Sequence, residues 1–241
     1  FRPAKENQIV GEDSTVYVAS RRAAARIAAQ SKPIKAIVLL RNPTDRCYSE
    51  YWHRVNSGRI GYSFEDILRY EPLTVIDRSM YKRQLSAFLD CIPRDRVIIV
   101  LFEEFIARKE AVLRHICEFP DIDFARLPSA SLAKHVNKAR TPSRTWLTLL
   151  ASRIARENGN RAYLKRLPGH LPDHAPKLKA WTRFLAAANS RFSPSVQRKP
   201  PPLRPETRQF LDRYFQRELA GLDELIGLPA LETWYGESSA S

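Results

Sequence analysis

Several features are scarce in this chain, and each scarcity excludes something. No apolar run approaches the roughly 18 residues that span a bilayer; the best candidate, Val97 to Phe102, has the length of one strand. Three cysteines, Cys47, Cys91 and Cys117, are an odd set with no Cys-x-x-Cys, and the five histidines show no ligand spacing. A disulfide framework and a structural zinc site are therefore excluded as organising devices, no metal is expected, and a reducing cytoplasm is the expected compartment. No signal peptide is visible, and because the chain starts with Phe1 a processed or trimmed N-terminus stays open. There is no internal repeat at any fixed period.

What is present is the composition of a folded domain: 241 residues, 44% apolar and 27% charged, long enough to bury a core without staples. The net charge is +14, and residues 134–200 carry 15 Lys and Arg against 2 Asp and Glu. Such a block attracts polyanions, whether nucleic acids, anionic glycans, phosphate-bearing cofactors or membrane surfaces. On charge alone, a solvated basic surface is an equal reading. The aromatic and basic interleaving of an RNA-reading sheet is lacking, so no specific nucleic-acid partner is expected.

Hydrophobic periodicity places the elements. Weak strand character at 8–10 and 16–19 flanks a polar turn. Residues 21–30 read as a helix and 34–40 as a buried parallel strand. A helix follows from Asn42 to about Val55, with Asn42 as N-cap and Pro43 at the first helical position. Further helices are expected at 63–69, 80–89, 107–119, 145–154, 178–188 and 206–225, and a second buried strand at 97–102. The basic, proline-rich stretch 197–205 reads as a loop. Strands alternating with helices predict an α/β sheet with helical cover.

The strongest local signal is Lys35-Ala-Ile-Val-Leu-Leu-Arg41-Asn42-Pro43-Thr44-Asp45-Arg46-Cys47-Tyr48-Ser49-Glu50-Tyr51. A strand ends in an arginine and a capped helix begins at once. Helix N-termini attract anions, Arg41 offers a forked, permanent charge, and Ser49 a hydroxyl from the second turn. From spacing alone two readings stand: a phosphate site, or a capped helix beside a surface arginine.

The run Arg-Asn-Pro-x-x-Arg-x-x-Ser-x-Tyr after a strand resembles the 3′-phosphate-binding motif of sulfotransferases that use 3′-phosphoadenosine 5′-phosphosulfate (PAPS), of bacterial type and similar to the glycan and heparan sulfate branch. Gln8 to Tyr17, Arg78 to Leu85, Val97 to Glu104, and Gln197 to Glu206 with the helix after it and Trp234 resemble further segments of that family in order. The resemblance covers about 8–125 and 195–235. It implies an α/β fold, a P-loop-NTPase-like parallel β-sheet flanked by helices. It also implies one sulfotransferase-type domain over 1–241: a nucleotide-binding part at 1–125, a basic insertion at 126–200, and a C-terminal helix and tail at 201–241. The donor it implies is PAPS, leaving 3′-phosphoadenosine 5′-phosphate as product, with no metal required.

By the same resemblance, Arg41 and Ser49 hold the 3′-phosphate, Arg198 and Lys199 belong to the nucleotide loop, and Phe102 stands beside the adenine. Asp13, Ser14, Arg78 and Tyr81 fall near the acceptor, with Asn137 and Lys138 as further cleft residues. The acceptor is a small molecule or glycan, and a homodimer stays open. The family's 5′-phosphosulfate loop and its catalytic Glu segment are absent, so the N-terminal strand and that loop are expected upstream of Phe1. The catalytic base is unassigned, with Glu12 the weak candidate. Phe102 replaces a common Tyr, Asp13 a common Lys, and the Gly-rich form of the C-terminal loop is lost. Two rivals remain: a nucleotide kinase or other P-loop transferase, whose phosphate loop and metal carboxylate are not visible, and a non-catalytic polyanion- or nucleotide-binding protein on a degenerate sulfotransferase fold.

Overall fold

The structure is a computed structural model describing residues 9–32, 34–128, 141–163 and 191–236, with side chains of 155–163 left aside. Asn137, Lys138 and the helix expected at 178–188 lie outside the described residues. The chain divides into two units: unit 1 is Phe1–Leu40, Met80–Arg126 and Glu218–Ser241; unit 2 is Arg41–Ser79 and Leu127–Arg217.

Unit 1 is built on two parallel strands, β1 (Ala36–Leu40) and β2 (Val97–Leu101), paired in register from Ala36 opposite Val97 to Leu40 opposite Leu101. All five β2 residues are buried, as a strand covered on both faces requires. The expectation of a fully buried first strand fails: Ile37 and Leu39 are 47% and 53% exposed. Among the described residues β1 pairs only with β2, and only its Val38 and Leu40 face is packed.

Four helices of unit 1 follow from local signals. Ser20 caps α1 (Arg21–Ala28) by accepting from the Ala23 amide. Helix α5 (Tyr81–Leu89) buries Tyr81, Leu85 and Phe88, and packs on α1 and on α10 (Leu222–Ile226). Helix α11 (Ala230–Tyr235) buries Ala230 and Trp234, whose indole N–H donates to Glu103 at 2.9 Å. Burying a Leu or Phe side chain of this kind stabilises by roughly 1.5–3 kcal/mol.

Three boundaries in unit 1 depart from expectation. Residues 9–19 form turns rather than strands, closed by Ala19 and Ser20 amides on Val16 and Tyr17 carbonyls. The helix expected at 107–119 is α7 (Lys109–Glu118), but an unexpected short helix, α6 (Phe102–Ala107), precedes it, the two parted where Arg108 leaves helical geometry at ψ 49°. The long C-terminal helix stops after α9 (Pro205–Glu218) and resumes as α10, since Gly221 takes φ +81°, a conformation that suits glycine.

Unit 2 is helical. Its centre is α2 (Pro43–Asn56), which buries Cys47, Tyr51, Trp52 and Val55. Around it lie α3 (Phe64–Tyr70), capped by Ser63, α4 (Leu73–Ile76), α8 (Thr145–Tyr163) and α9, with Leu211 and Phe215 buried. Helix α4 has no sequence signal of its own, and α8 runs nine residues past its expected end. The rings of Tyr48, Tyr51, Trp52 and Phe64 pack with centroids 5.1–6.2 Å apart. A two-residue antiparallel pair, β3 (Thr141–Pro142) with β4 (Ser195–Val196), is pinned by Ser193, whose hydroxyl bonds to the Arg144 amide, the Arg144 carbonyl and Thr148.

Candidate functional site

The first turn of α2 is built as its sequence dictates. The Asn42 side chain accepts from the Asp45 amide at 3.1 Å, and Pro43 brings no N–H at all. The cap thus occupies amides that would otherwise face a ligand, so an anion here must be held chiefly by side chains and the helix dipole.

Those side chains lie in unit 2. Arg41 is half-buried before the cap, and Ser49 is exposed in the second turn. Nη1 of Arg46 is buried without a hydrogen-bond partner among the described residues. Next to Ser49, Glu50 receives Arg54 at 2.7 Å and Arg78 at 3.8 Å, so Arg78 is drawn to α2 by a carboxylate. Guanidinium and hydroxyl donors at a helix N-terminus have the chemistry a phosphate requires.

The C-terminal loop reaches this end of α2 through contacts that the sequence does not reveal. Tyr48 donates to the Pro201 carbonyl at 2.8 Å, Arg208 meets Asp45 at 2.5 Å, and Thr44 donates to Asp212 at 2.6 Å. As residue numbers rise from 201 to 212, their partners fall from 48 to 44, so the segment runs antiparallel along the first turns of α2. Glu65 holds it from the side, accepting from Thr207 at 3.2 Å and pairing with Arg204 at 3.7 Å. Lys199 and Arg198 are exposed, two and three residues before Pro201. An extended chain keeps their Cα atoms within roughly 7 and 10 Å of it.

The other sequence candidates belong to unit 1. Glu12 accepts from the Tyr17 hydroxyl at 2.5 Å, a bond that raises the tyrosine's pKa. Ser14 closes a turn with the Val16 amide, and Asp13 is exposed. Tyr81 is buried with its ring 5.9 Å from Trp234. Phe102 is half-buried as the first residue of α6, one past the strand that was expected to include it. A cavity of about 240 Å³ in unit 1, lined by residues such as Ile27, Cys91 and Arg96, touches none of the candidates. Among the described residues no cluster of His, Cys, Asp or Glu has the makings of a metal site, and no helix is long and apolar enough to cross a membrane.

Sequence reasoning missed Thr44, Asp45, Tyr48 and Glu50 as contributors, along with Arg208 and Asp212. Asp45 was visible only as a helix-start acid, and its partner stands 163 residues away.

Comparison with known proteins supplies the deciding observation: residues 22–126, which contain the whole Arg41–Ser49 motif, match the family described as the sulfotransferase family. These residues are similar to a sulfotransferase-family segment. Two curated relatives, heparan sulfate glucosamine 3-O-sulfotransferases 3A1 and 3B1 of Mus musculus, are each 30% identical over 122 residues, 47% of this chain. The match spans 31% of each relative's length. A crystal structure of a sulfotransferase from Alicyclobacillus acidocaldarius superposes with a TM-score of 0.55 at 22% identity, covering 92% of this chain and 65% of that one. At that identity the likeness concerns the fold, and the expected α/β sulfotransferase fold with its parallel strands is what this chain has.

Proposed function

We propose that this sulfotransferase-type chain moves a sulfuryl group from PAPS to a hydroxyl or amine of an anionic carbohydrate. The observation that carries this reading is the grouping at α2: Arg41, exposed Ser49, and a basic loop tied to the same helix through Tyr48 and Pro201. Arg41 supplies a forked cation and Ser49 a hydroxyl to the ribose 3′-phosphate, with Arg198 and Lys199 adding charge from the loop. That phosphate separates PAPS from ATP and AMP. In the transfer itself, an acceptor oxygen or nitrogen bonds to sulfur, its proton passes to a carboxylate, and the bond from sulfur to the bridging oxygen breaks. The work is positioning and charge stabilisation.

The carbohydrate acceptor is supported by charge. Unit 2 holds 25 Lys and Arg against 10 Asp and Glu, while unit 1 holds 15 against 16. The entire excess therefore sits in the unit that carries Arg41 and Ser49. The names of the curated relatives, heparan sulfate sulfotransferases, agree with such an acceptor.

Thermal-shift and calorimetric titrations with 3′-phosphoadenosine 5′-phosphate, AMP and ATP test the donor. Selective stabilisation by the first is expected; preference for ATP with magnesium refutes it. Transfer of labelled sulfate from PAPS to heparan sulfate oligosaccharides tests the acceptor. A chain that binds heparin with a steep salt dependence, yet ignores the nucleotide, is instead the polyanion-binding module that the same charge excess permits.

A further inference from the structure

Residues 197–204 form no helix or strand, and Pro200, Pro201 and Pro202 lie within them. Prolines carry no amide hydrogen, so the three in a row at its centre cannot be held by their own N–H groups. Its carbonyls remain as handles. A proline run is also stiff and extended, with persistence over several residues. Fixing one carbonyl in such a run therefore fixes its neighbours, including Lys199 and Arg198.

The Tyr48 hydroxyl takes that handle, donating to the Pro201 carbonyl at 2.8 Å. Its ring is itself held: edge-on to Trp52 and Phe64, with centroids at 6.1 and 5.1 Å, and stacked on Tyr51 at 6.2 Å. The other ties described above, Arg204 and Thr207 to Glu65, Arg208 to Asp45 and Thr44 to Asp212, all lie further along the chain. Tyr48 is the residue next to Ser49.

We propose that Tyr48 is a positioning residue that sets the basic loop over the 3′-phosphate site by fixing the Pro201 carbonyl. The proposal rests on the nucleotide reading above for the loop's ligand, but not for the tether. Tyr48→Phe keeps the ring and removes the donor. In the protein without ligand, trypsin is expected to cut the Arg198–Lys199 bond several-fold faster in the variant, followed by mass spectrometry. The Lys199–Pro200 and Arg204–Pro205 bonds resist because proline follows them. An unchanged rate overturns the tether. In calorimetry, the variant is expected to bind 3′-phosphoadenosine 5′-phosphate five- to tenfold more weakly and AMP unchanged. In an Arg198→Ala, Lys199→Ala background, Tyr48→Phe is expected to have no further effect. Equal losses for both nucleotides, or an additive effect in that background, overturn the positioning role. If the unaltered protein fails to bind the nucleotide, the donor reading falls and with it the loop's role there, while the cleavage rate still decides the tether.

Discussion

Arg208 on α9 meets Asp45 in the first turn of α2 at 2.5 Å, across 163 residues of chain. Asp45 favours the helix dipole but would repel a phosphate arriving at the same end. Arg208 cancels that charge.

Removing the guanidinium with Arg208→Ala is expected to weaken 3′-phosphoadenosine 5′-phosphate roughly tenfold at low salt, about 1.4 kcal/mol. Adding Asp45→Asn should return most of the affinity. Both partners are more than a third exposed, so the effect on folding is about 1 kcal/mol or less. A double variant that binds as poorly as the single one contradicts this account.

Arg41→Ala should cost about 2 kcal/mol in affinity for the same nucleotide, the loss of a charged hydrogen bond, and Ser49→Ala about 1 kcal/mol. AMP, which lacks the 3′-phosphate, should bind equally to all three proteins. Calorimetry that finds matched losses for AMP would move these residues away from the 3′ position.

Gly61 is a packing requirement. A Cβ there would stand 2.5 Å from the Arg153 backbone nitrogen on α8, and a backbone atom cannot turn aside. Gly61→Ala is expected to destabilise unit 2 by about 1–3 kcal/mol, measured by urea unfolding. A wild-type midpoint would mean that α8 shifts at no cost.

Burial pushes the Cys47 thiol up to about 12, and raises the phenols of Tyr48 and Tyr51 as well. The unfolded chain gives up these protons first, near pH 9 for the thiol. Below that, the stability they contribute is fully present; above it, the unfolded state binds fewer protons and stability falls. The thiol's share of that loss is up to about 1.4 kcal/mol per pH unit between pH 9 and 12. Urea unfolding across pH 8–11 should show a shallower decline in Cys47→Ala, and identical slopes would remove the thiol as a cause. Native Cys47 should likewise resist thiol reagents that label half-exposed Cys91.

Helix α10 depends on Gly221 in a left-handed conformation at φ +81°. Gly221→Ala should cost about 1–2 kcal/mol by thermal or urea unfolding, since an L side chain rarely adopts that conformation. A stabilised variant would show that the break is incidental.

Much of this was legible along the chain because its causes are local. The Asn42 cap, Pro43, the length of α2, the buried run at Val97 and the proline-rich loop each follow from neighbours within a few residues. The short helix α6 and the helix break at Gly221 were not: α6 follows directly on the β2 strand, and apolar spacing continues through Gly221 while the backbone turns.

Residue type and spacing alone determined which groups stand out: an arginine before a capped helix, a serine two turns on, and an uneven store of positive charge. Tertiary structure decided which of them work together. It drew Arg78 to Glu50, set Pro201 on Tyr48, and turned Asp45 from a helix-start acid into the partner of Arg208. Capping and periodicity act over one or two turns, whereas a hydrogen bond spanning more than 150 residues exists only once the core has brought its two ends within 3 Å.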